Sequence, residues 1–392
     1  MPKAIHKIRG VVRNYDWGGY NYIPAFLGKC EPQEAPSAEY WLGVHPSAPA
    51  VVTEGEKAGE NLIQLQEDLG DAPLSFLMKI LDVRQMLSIQ VHPSIAEAEA
   101  GFAAEEAAGI ALTAPNRTYK DKNHKPELAY ALGEFWMLHG LRKVEDIRND
   151  LASREYTKPL LEILDSDGLS GLVAASVDEE NALVKQAADS LIEDAFSKAG
   201  DVPKSSPEFW VHRWVEANPG VTRGILMILL MNLVELKAGD AVYQPQGLIH
   251  AYLEGRNVEI MANSDNVLRA GLTSKHIDAE DLVKISNLDS TNPNDFIVRV
   301  ERDENGIRSF DTPYEDFLLR DIEIPANGSR ELQWDKAQVL VFFSGENLEI
   351  GADGTSLTLC QGESAFCRPG TSVTLTNKSQ RTAHLFIGSG SA

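Results

Sequence analysis

Turn residues between Gly239 and His250 are spaced so that they would carry one imidazole to the end of a barrel. Five residues separate Gly239 from Pro245, one separates Pro245 from Gly247, and two precede His250. The pattern predicts a strand that turns at the first glycine, turns again at the proline and second glycine, and places His250 at the start of the next strand. Two such turns close the corners of a small β-barrel, so the spacing aims the His250 imidazole, a group that can bind a metal, into the barrel's mouth.

A second candidate pair lies in the stretch from Met86 to Pro93, which alternates like a strand. Gln90 and His92 are two residues apart, so both side chains project from the same face. An imidazole and an amide oxygen would supply half of a metal site. The alternative is that His92 packs or hydrogen-bonds, as strand histidines more often do.

Glu127 begins an apolar strand after a polar loop that starts at Tyr119. If the carboxylate points inward, it needs a metal or a basic partner to offset the cost of burial. If it points outward, it is a solvated loop end, and both readings stay open. Assembled, these side chains offer donors that zinc accepts, and cobalt, manganese or nickel are not excluded: Gln90, His92, Glu127 and His250.

The elements that must position these residues fall into three regions. Strand-like alternation dominates the start of the chain and the region after His250, whereas 143–215 shows helical period. We therefore predict a mainly β fold with a helical insertion: a discontinuous catalytic barrel over 1–142 and 216–289, a helical domain over 143–215, and a second β domain over 290–392.

A weak internal repeat supports the second β domain. Leu357 to Glu363 parallels Val234 to Asp240, and the position that matches His250 is Val373. The second barrel is therefore expected to keep the turns and to lack the metal ligand.

Local signals predict three helices. Ser94 and Glu97 stand in capping-box spacing before an Ala- and Glu-rich helix that should run to about residue 108. A helix around Leu62 to Leu69 should end at Pro73. The segment 224–232 is expected to be a last buried helix before the strand at Val234.

Composition excludes several classes of function. The 392 residues carry a net charge of −22, which argues against a nucleic-acid partner and requires local cations for any anionic substrate. The mean hydropathy is −0.22, and the longest apolar run, Ile225 to Met231, is too short to cross a bilayer. Three cysteines without a Cys-x-x-Cys pair, and an N-terminus without an apolar segment, predict a cytoplasmic protein.

Long motifs in matching order carry a family resemblance. The Gly239-to-His250 spacing resembles the second motif of the cupin family, although Glu254 stands where cupins often carry Asn. The chain resembles the type I mannose-6-phosphate isomerases (phosphomannose isomerases), which are cupins, in five stretches: Asn14–Gly18, Glu39–Gly43, Gln90–Pro93, Tyr119–Glu127 and Glu259–Thr273.

This resemblance implies one zinc ion per chain, held by Gln90, His92, Glu127 and His250, and an active-site arginine at Arg269. It implies two cupin-like jelly-roll β domains, a catalytic barrel and a C-terminal domain, together with a helical domain. The reaction would interconvert mannose 6-phosphate and fructose 6-phosphate through a cis-enediol(ate), in carbohydrate metabolism and GDP-mannose biosynthesis.

The implied reaction needs a base, a stabiliser of developing negative charge and a phosphate site. Zinc and Arg269 would stabilise the oxyanion. Glu259 is the first candidate base, ahead of Asp265, Lys125 and His124. Other candidate substrate contacts are Tyr252, on the same strand face as His250, and residues near the motifs: Trp17, Lys79, Ser88, Lys125, Asp265 and Lys275.

For several of these residues the alternative is a structural or solvent-exposed role without a function in the site. A surface lysine is usually solvated, and Lys122 and His276 compete with Lys79 and Lys275 for the phosphate role. Trp17 and Trp41 would more often be core residues. Two other functions also remain open: a cupin oxygenase using iron or copper, and a sugar-phosphate sensor without turnover. The expected partner is a hexose phosphate, with no membrane or nucleic acid, and the expected state is a monomer.

Overall fold

The computed structural model describes residues 3–31 and 33–390. The first part of the chain forms β1 Ile5–Arg9, β2 Val11–Arg13, α1 Tyr22–Phe26, β3 Glu39–Gly43, β4 Val51–Val52, α2 Leu62–Leu69, β5 Phe76–Val83, β6 Ile89–Val91, α3 Ile95–Ala107, β7 Glu127–Ala131 and β8 Phe135–Leu141. Helices follow, namely α4 Val144–Ser153, α5 Leu160–Ser176, α6 Ala182–Ser197, α7 Pro207–Ala217 and α8 Met227–Leu230.

The chain then returns to β9 Met231–Leu236, β10 Ala241–Gln244, β11 His250–Ala262, β12 Leu268–Gly271, α9 Ala279–Ile285, a 3-10 helix Pro293–Asp295 and β13 Ile297–Val298. The last part forms β14 Ile307–Phe310, β15 Leu318–Ile324, β16 Ser329–Trp334, β17 Gln338–Ser344, β18 Leu348–Ala352, β19 Thr355–Leu359, β20 Ser364–Cys367, β21 Thr371–Asn377 and β22 Ala383–Ser389. The predicted class, mainly β with a helical insertion, is confirmed.

Strand β11 turns the corner of the first barrel. Its first half pairs with β6 and β8, and its second half, from Gly255 on, pairs with β5 and β7. Gly255 sits between the halves with φ 127°, a conformation that side chains with a Cβ rarely adopt. One strand therefore serves both walls of the barrel, and it brings His250 and Glu259 into the same interior.

The C-terminal strands form a two-sheet sandwich. One sheet runs in the order β14-β15-β22-β17-β20-β1-β4, and the other runs β16-β21-β18-β19. Strands β1 and β4, from the start of the chain, thus extend a sheet whose other strands come from the C-terminal part. Val373 is fully buried in the apolar core between the two sheets, as a structural role for this position requires.

Two apolar cores stack on the faces of the seven-stranded sheet. One lies inside the sandwich, and the other joins this sheet to the first barrel through β3, β5, β7 and β11. The second core is rich in large side chains, which anchor the barrel to a firm support: Tyr40, Phe76, Phe310, Phe317, Phe366 and Phe386.

The helical insertion covers the opposite side of the first barrel. Helices α4 to α8 share one core with β6, β8 and β12. The predicted helix over 224–232 is shorter than expected, because only Met227–Leu230 is α-helical and β9 begins at Met231. An apolar run of this length fits a buried strand as well as a helix, which is why periodicity could not separate them.

The predicted helix starts are more accurate than the ends. Ser94 and Glu97 form the full capping box of α3. Helix α2 ends earlier than Pro73, because Gly70 takes the left-handed conformation at its C-terminus. None of the helices in the described ranges combines the length and hydrophobicity needed to cross a bilayer.

Candidate metal centre and substrate cleft

Three strands deliver the predicted ligands to one end of the first barrel. Glu127 begins β7, His250 begins β11, and His92 follows β6 by one residue. Gln90 lies directly opposite His250 in the β6–β11 pairing, so the two side chains share a face. The strand register therefore brings together residues that are 160 positions apart in the sequence.

The imidazoles flank one carboxylate. His92 Nε2 lies 3.3 Å from Glu127 Oε1, and His250 Nε2 lies 3.4 Å from Glu127 Oε2. All three side chains are buried, and their donor atoms lie within 4.8 Å of one another. Among the described residues this is the one group of His, Cys, Asp and Glu with such spacing.

Hydrogen bonds at the far side of each ring leave Nε2 available. His92 Nδ1 lies 2.8 Å from the carbonyl oxygen of Asn266, and His250 Nδ1 lies 2.9 Å from that of Leu248. A carbonyl only accepts, so each Nδ1 carries the proton and each Nε2 offers its lone pair. Burial lowers the pKa of His92 to about 4, which keeps the ring neutral at pH 7 as a ligand must be.

Glu127 and Gln90 supply the oxygen donors. Burial alone would raise the pKa of Glu127, but Lys125 and the two histidines hold it well below its usual value. Lys125 Nζ lies 2.8 Å from the carboxylate. The Gln90 amide nitrogen donates to Ser88 Oγ at 3.2 Å, which leaves the amide oxygen free for a metal. Two nitrogens and two oxygens in this arrangement fit zinc.

A cleft of about 690 Å³ opens above these residues, and a smaller cavity of about 80 Å³ lies beneath it. Gln90, Ser88, Lys79, Lys125 and Glu39 line both spaces, whereas Glu127 and His250 line the deeper one. The cleft is large enough for a hexose phosphate, and Gln90 is the member of the proposed donor set that lines it.

Glu259 lies in the deeper cavity with two partners. Lys79 Nζ donates to its carboxylate at 2.7 Å, and the Tyr252 hydroxyl donates at 3.0 Å. Burial raises the pKa of Glu259. Burial would lower the pKa of Lys79, but Glu259, Glu39 and Glu127 raise it, so the lysine stays protonated. The phosphate role of Lys79 remains a prediction, and Glu259 competes for the same ammonium group.

Arg269 and Lys275 line the cleft with free cationic ends. Within the described ranges neither side chain makes a hydrogen bond or an ion pair, and burial lowers the pKa of both groups. In an acidic protein, a cation without a partner among the described residues is suited to bind an anion; Arg269 is partly buried and Lys275 is exposed. Trp17 and Asp265 also line the cleft, and their contact with substrate remains a prediction.

Three weaker candidates do not line either space. His124 Nε2 lies 2.9 Å from Asp316, and its ring packs on Tyr314. Lys122 lies over the ring of Phe102, and His276 lies on the exposed surface after Lys275. The structure thus separates these polar residues from the cleft, although sequence proximity placed them in the same motifs.

The N-terminal segment contributes three further cleft residues: Trp41, for which the sequence favoured a core position, and Glu39 and His45, for which no role was predicted. Glu39, Trp41 and His45 are buried and line the cleft. Trp41 Nε1 donates to Glu39, and Lys79 lies over the Trp41 ring. A signal for His45 was present, because Val44-His45-Pro46 repeats the order Val91-His92-Pro93 at the end of a strand.

A β-barrel with an inward-facing His, Glu and His set defines a cupin-like metalloprotein. The family model described as phosphomannose isomerase type I, catalytic domain, matches residues 5–144. Mannose-6-phosphate isomerase of Salmonella typhimurium is 32% identical over 379 residues, which cover 92% of this chain and 94% of that protein. The Escherichia coli enzyme is also 32% identical, over 389 residues with the same coverage. The chain belongs to the mannose-6-phosphate isomerase family.

Solved structures agree with this assignment. The Salmonella typhimurium mannose 6-phosphate isomerase bound to fructose 6-phosphate and zinc superposes with a TM-score of 0.86 at 30% identity, and each chain is covered in full. A mannose 6-phosphate isomerase bound with zinc and yttrium gives a TM-score of 0.85 at 30% identity.

Proposed function

We propose that the protein is a zinc-dependent aldose-ketose isomerase that interconverts mannose 6-phosphate and fructose 6-phosphate. The observation that carries the proposal is the buried His92, Glu127 and His250 set, next to a cleft whose cations Arg269 and Lys275 have no partner among the described residues. Relatives of the same length carry this activity in their names. Gln90 would be the fourth ligand.

The chemical difficulty is the weak acidity of the carbon next to the carbonyl. A base must take the proton from C2 and return one to C1. Glu259 has the properties of that base, because burial raises its pKa and its carboxylate lies in the cavity below the cleft. Lys79 and Tyr252 fix its orientation through two hydrogen bonds.

Negative charge then develops on the substrate oxygens and must be stabilised more in the transition state than in the ground state. Bound zinc would supply a Lewis acid at this oxygen. Arg269 lines the same cleft, stays protonated and can donate two parallel hydrogen bonds. We assign it to the developing oxyanion.

The phosphate would lie towards Lys275 at the rim of the cleft. This ammonium has no partner within the described ranges, and Ser88 adds a hydroxyl deeper in the cleft. Trp17 and Trp41 line the same space and exclude water from the sugar. Lys125, next to Glu127, would contact the substrate near the metal.

The proposal is tested by following mannose 6-phosphate in D₂O by NMR. We expect loss of the C2 proton signal and appearance of fructose 6-phosphate with the wild-type protein. Glu259→Gln should reduce the rate by at least about 100-fold, the lower range for a general base. Glu331→Gln, on the exposed side of β16, is the matched control and should react like the wild type. Binding without conversion would contradict the proposal.

The comparisons favour the isomerase over the oxygenase and the non-catalytic sensor that the sequence left open. A cytoplasmic location, a role in GDP-mannose biosynthesis, a monomeric state and the absence of a nucleic-acid partner remain predictions from the sequence. The domain boundaries remain predictions as well.

A further inference from the structure

His45 is a cleft histidine that the mechanism above does not use. It follows β3 in the sequence and is only 6% exposed. Its Nε2 lies 3.3 Å from Asp265 Oδ2, across a gap of 220 residues in the chain. Both residues line the cleft, and neither is one of the four proposed metal ligands.

Ser47 fixes the tautomer of this ring. The backbone N–H of Ser47 donates to His45 Nδ1 at 3.3 Å, and the Ser47 hydroxyl lies 2.9 Å from the same nitrogen. Because Nδ1 accepts a hydrogen bond from a backbone N–H, the ring proton resides on Nε2. His45 is therefore a hydrogen-bond donor to Asp265 even when it is neutral.

The ring has little freedom to move. Trp41 packs against it edge to face, with ring centroids 4.9 Å apart. The backbone N–H of Ala48 donates to the carbonyl of His45 at 3.0 Å, which closes a turn around the residue. A buried ring with a fixed tautomer and a fixed backbone is well suited to position another side chain.

Asp265 is the group that this ring would position. Its backbone N–H is held by Asp121 Oδ2 at 2.7 Å, while its carboxylate is about half exposed to the cleft. Among the described residues, His45 is the side chain that pairs with this carboxylate. The hydrogen bond from His45 lowers the pKa of Asp265, so the group faces the cleft as an acceptor.

The chemistry of the cleft decides what this acceptor would bind. An ionised carboxylate repels a phosphate, so it cannot serve the anionic end of the substrate. A sugar presents hydroxyl donors along its chain, and carboxylates are strong acceptors for them. Resting on the function proposed above, we propose that His45 is a positioning residue that holds Asp265 towards the cleft, where Asp265 binds hydroxyl groups of the hexose phosphate.

Binding of an unreactive ligand tests this role without turnover. The probes are a hexitol 6-phosphate, which has the hydroxyls but no carbonyl, and inorganic phosphate, which has neither. His45→Leu removes the donor, and His45→Gln keeps an N–H donor in a similar place. His212→Leu, which changes a histidine on α7 outside the cleft, is the matched control.

We expect His45→Leu and Asp265→Asn each to weaken hexitol 6-phosphate binding about tenfold, measured by calorimetry on the zinc-loaded protein. Binding of inorganic phosphate should stay within about twofold of the wild type. His45→Gln should recover most of the affinity, and the double variant His45→Leu with Asp265→Asn should bind no more weakly than Asp265→Asn alone.

The proposal is overturned if His45→Leu binds the hexitol phosphate like the wild type, if His45→Gln loses as much as His45→Leu, or if both probes weaken equally. Each variant is first compared with the wild type by thermal unfolding, and Asp265→Asn keeps the test informative if His45→Leu does not fold. Failure of the wild type to convert mannose 6-phosphate would refute the proposed function instead, whatever the binding pattern.

Discussion

The deeper cavity below the cleft contains more buried carboxylates than ammonium groups, and a bound cation would balance them. The residues that line the deeper cavity include three carboxylates, Glu39, Glu127 and Glu259, against the two ammonium groups of Lys79 and Lys125. An unbalanced buried carboxylate is costly. A divalent ion at the His92, Glu127 and His250 donors would offset the excess negative charge.

Loss of the carboxylate should therefore remove the metal. Glu127→Gln keeps the size of the side chain but removes the negative charge that lies next to His92, Lys125 and His250. We expect the purified variant to contain less than about a tenth of the wild-type zinc, measured by elemental analysis. Glu331→Gln should retain full metal content, and normal zinc in Glu127→Gln would exclude this residue as a ligand.

Arg269 should matter for catalysis more than for binding. If it stabilises the developing oxyanion, Arg269→Ala should lower kcat at least about tenfold, which corresponds to about 1.4 kcal/mol. Arg269→Lys keeps the charge but loses the paired donors, so it should recover only part of the rate. The measurement is kcat in a coupled isomerase assay. A value for Arg269→Ala within tenfold of the wild type would show that Arg269 does not stabilise the oxyanion.

Among elements, β11 has the largest effect on the site, because it carries His250, Tyr252 and Glu259 around one corner. The corner depends on Gly255, where an added Cβ would lie 2.6 Å from the carbonyl oxygen of Glu134. A side chain there would disturb the pairing with β8 and shift the two halves of the strand relative to each other. The distance between metal ligand and base is thus set by a backbone bend.

Gly255→Ala should therefore reduce both stability and kcat/KM. The positive φ and the close contact with Glu134 together predict a loss of about 1–3 kcal/mol in the free energy of unfolding. Gly351→Ala in β18 is the matched control, because its Cβ would meet its nearest neighbour at an ordinary 3.9 Å. Equal unfolding midpoints for the two variants in urea would argue against the strained corner.

Sequence patterns predicted the elements whose signals are local. The turn spacing before His250, the alternation around Gln90 and the capping box of α3 all led to the observed strands and helix. The bend in β11 was not predicted, since Gly255 alone does not reveal which strands lie on either side. The role of His45 was missed for a similar reason, because its partner Asp265 is distant in the sequence.

At the scale of the whole molecule, a buried carboxylate joins the two β domains. Asp321 on β15 is fully buried and accepts hydrogen bonds from Arg302, Arg308 and His384 of the C-terminal part. It also accepts from the hydroxyl of Tyr130 on β7 of the first barrel, at 3.1 Å. Ion pairs and a hydrogen bond at Asp321 therefore add to the apolar packing between the first barrel and the C-terminal sheet.

This arrangement predicts a pH-dependent contribution to stability. Burial would raise the pKa of Asp321, but His384 and the two arginines hold it well below its usual value. The contribution is therefore complete above about pH 4 and declines below it, where the unfolded chain's carboxyl takes up a proton first.

Asp321→Asn should lower the free energy of unfolding by about 3–5 kcal/mol at pH 7, the range for breaking a buried ion pair. The difference from the wild type should shrink as the pH falls from 4 towards 2. Denaturant titrations at several pH values would show this, with the exposed Asp353→Asn as control. A difference that does not change with pH would contradict the ionised state of Asp321.

The sequence could not reveal how the domains share strands. Strands β1 and β4 come from the N-terminus, yet they complete a sheet whose other members begin after residue 306. Conversely, the two-residue strand β13 lies after residue 290 in the sequence but pairs with β10 of the first barrel. The pairing of β1 with β20 places Ile5 opposite Cys367, and no local periodicity reports on contacts so distant in the sequence.

Metal depletion and reconstitution test the central claim most directly. The wild-type protein is dialysed against a chelator, and its conversion of mannose 6-phosphate is measured before dialysis, after it and after titration with zinc. The account predicts loss of activity on dialysis and full recovery at one zinc per chain, with partial recovery by cobalt, manganese or nickel because no thiolate restricts the choice of metal. Unchanged activity in protein shown to be metal-free would contradict it.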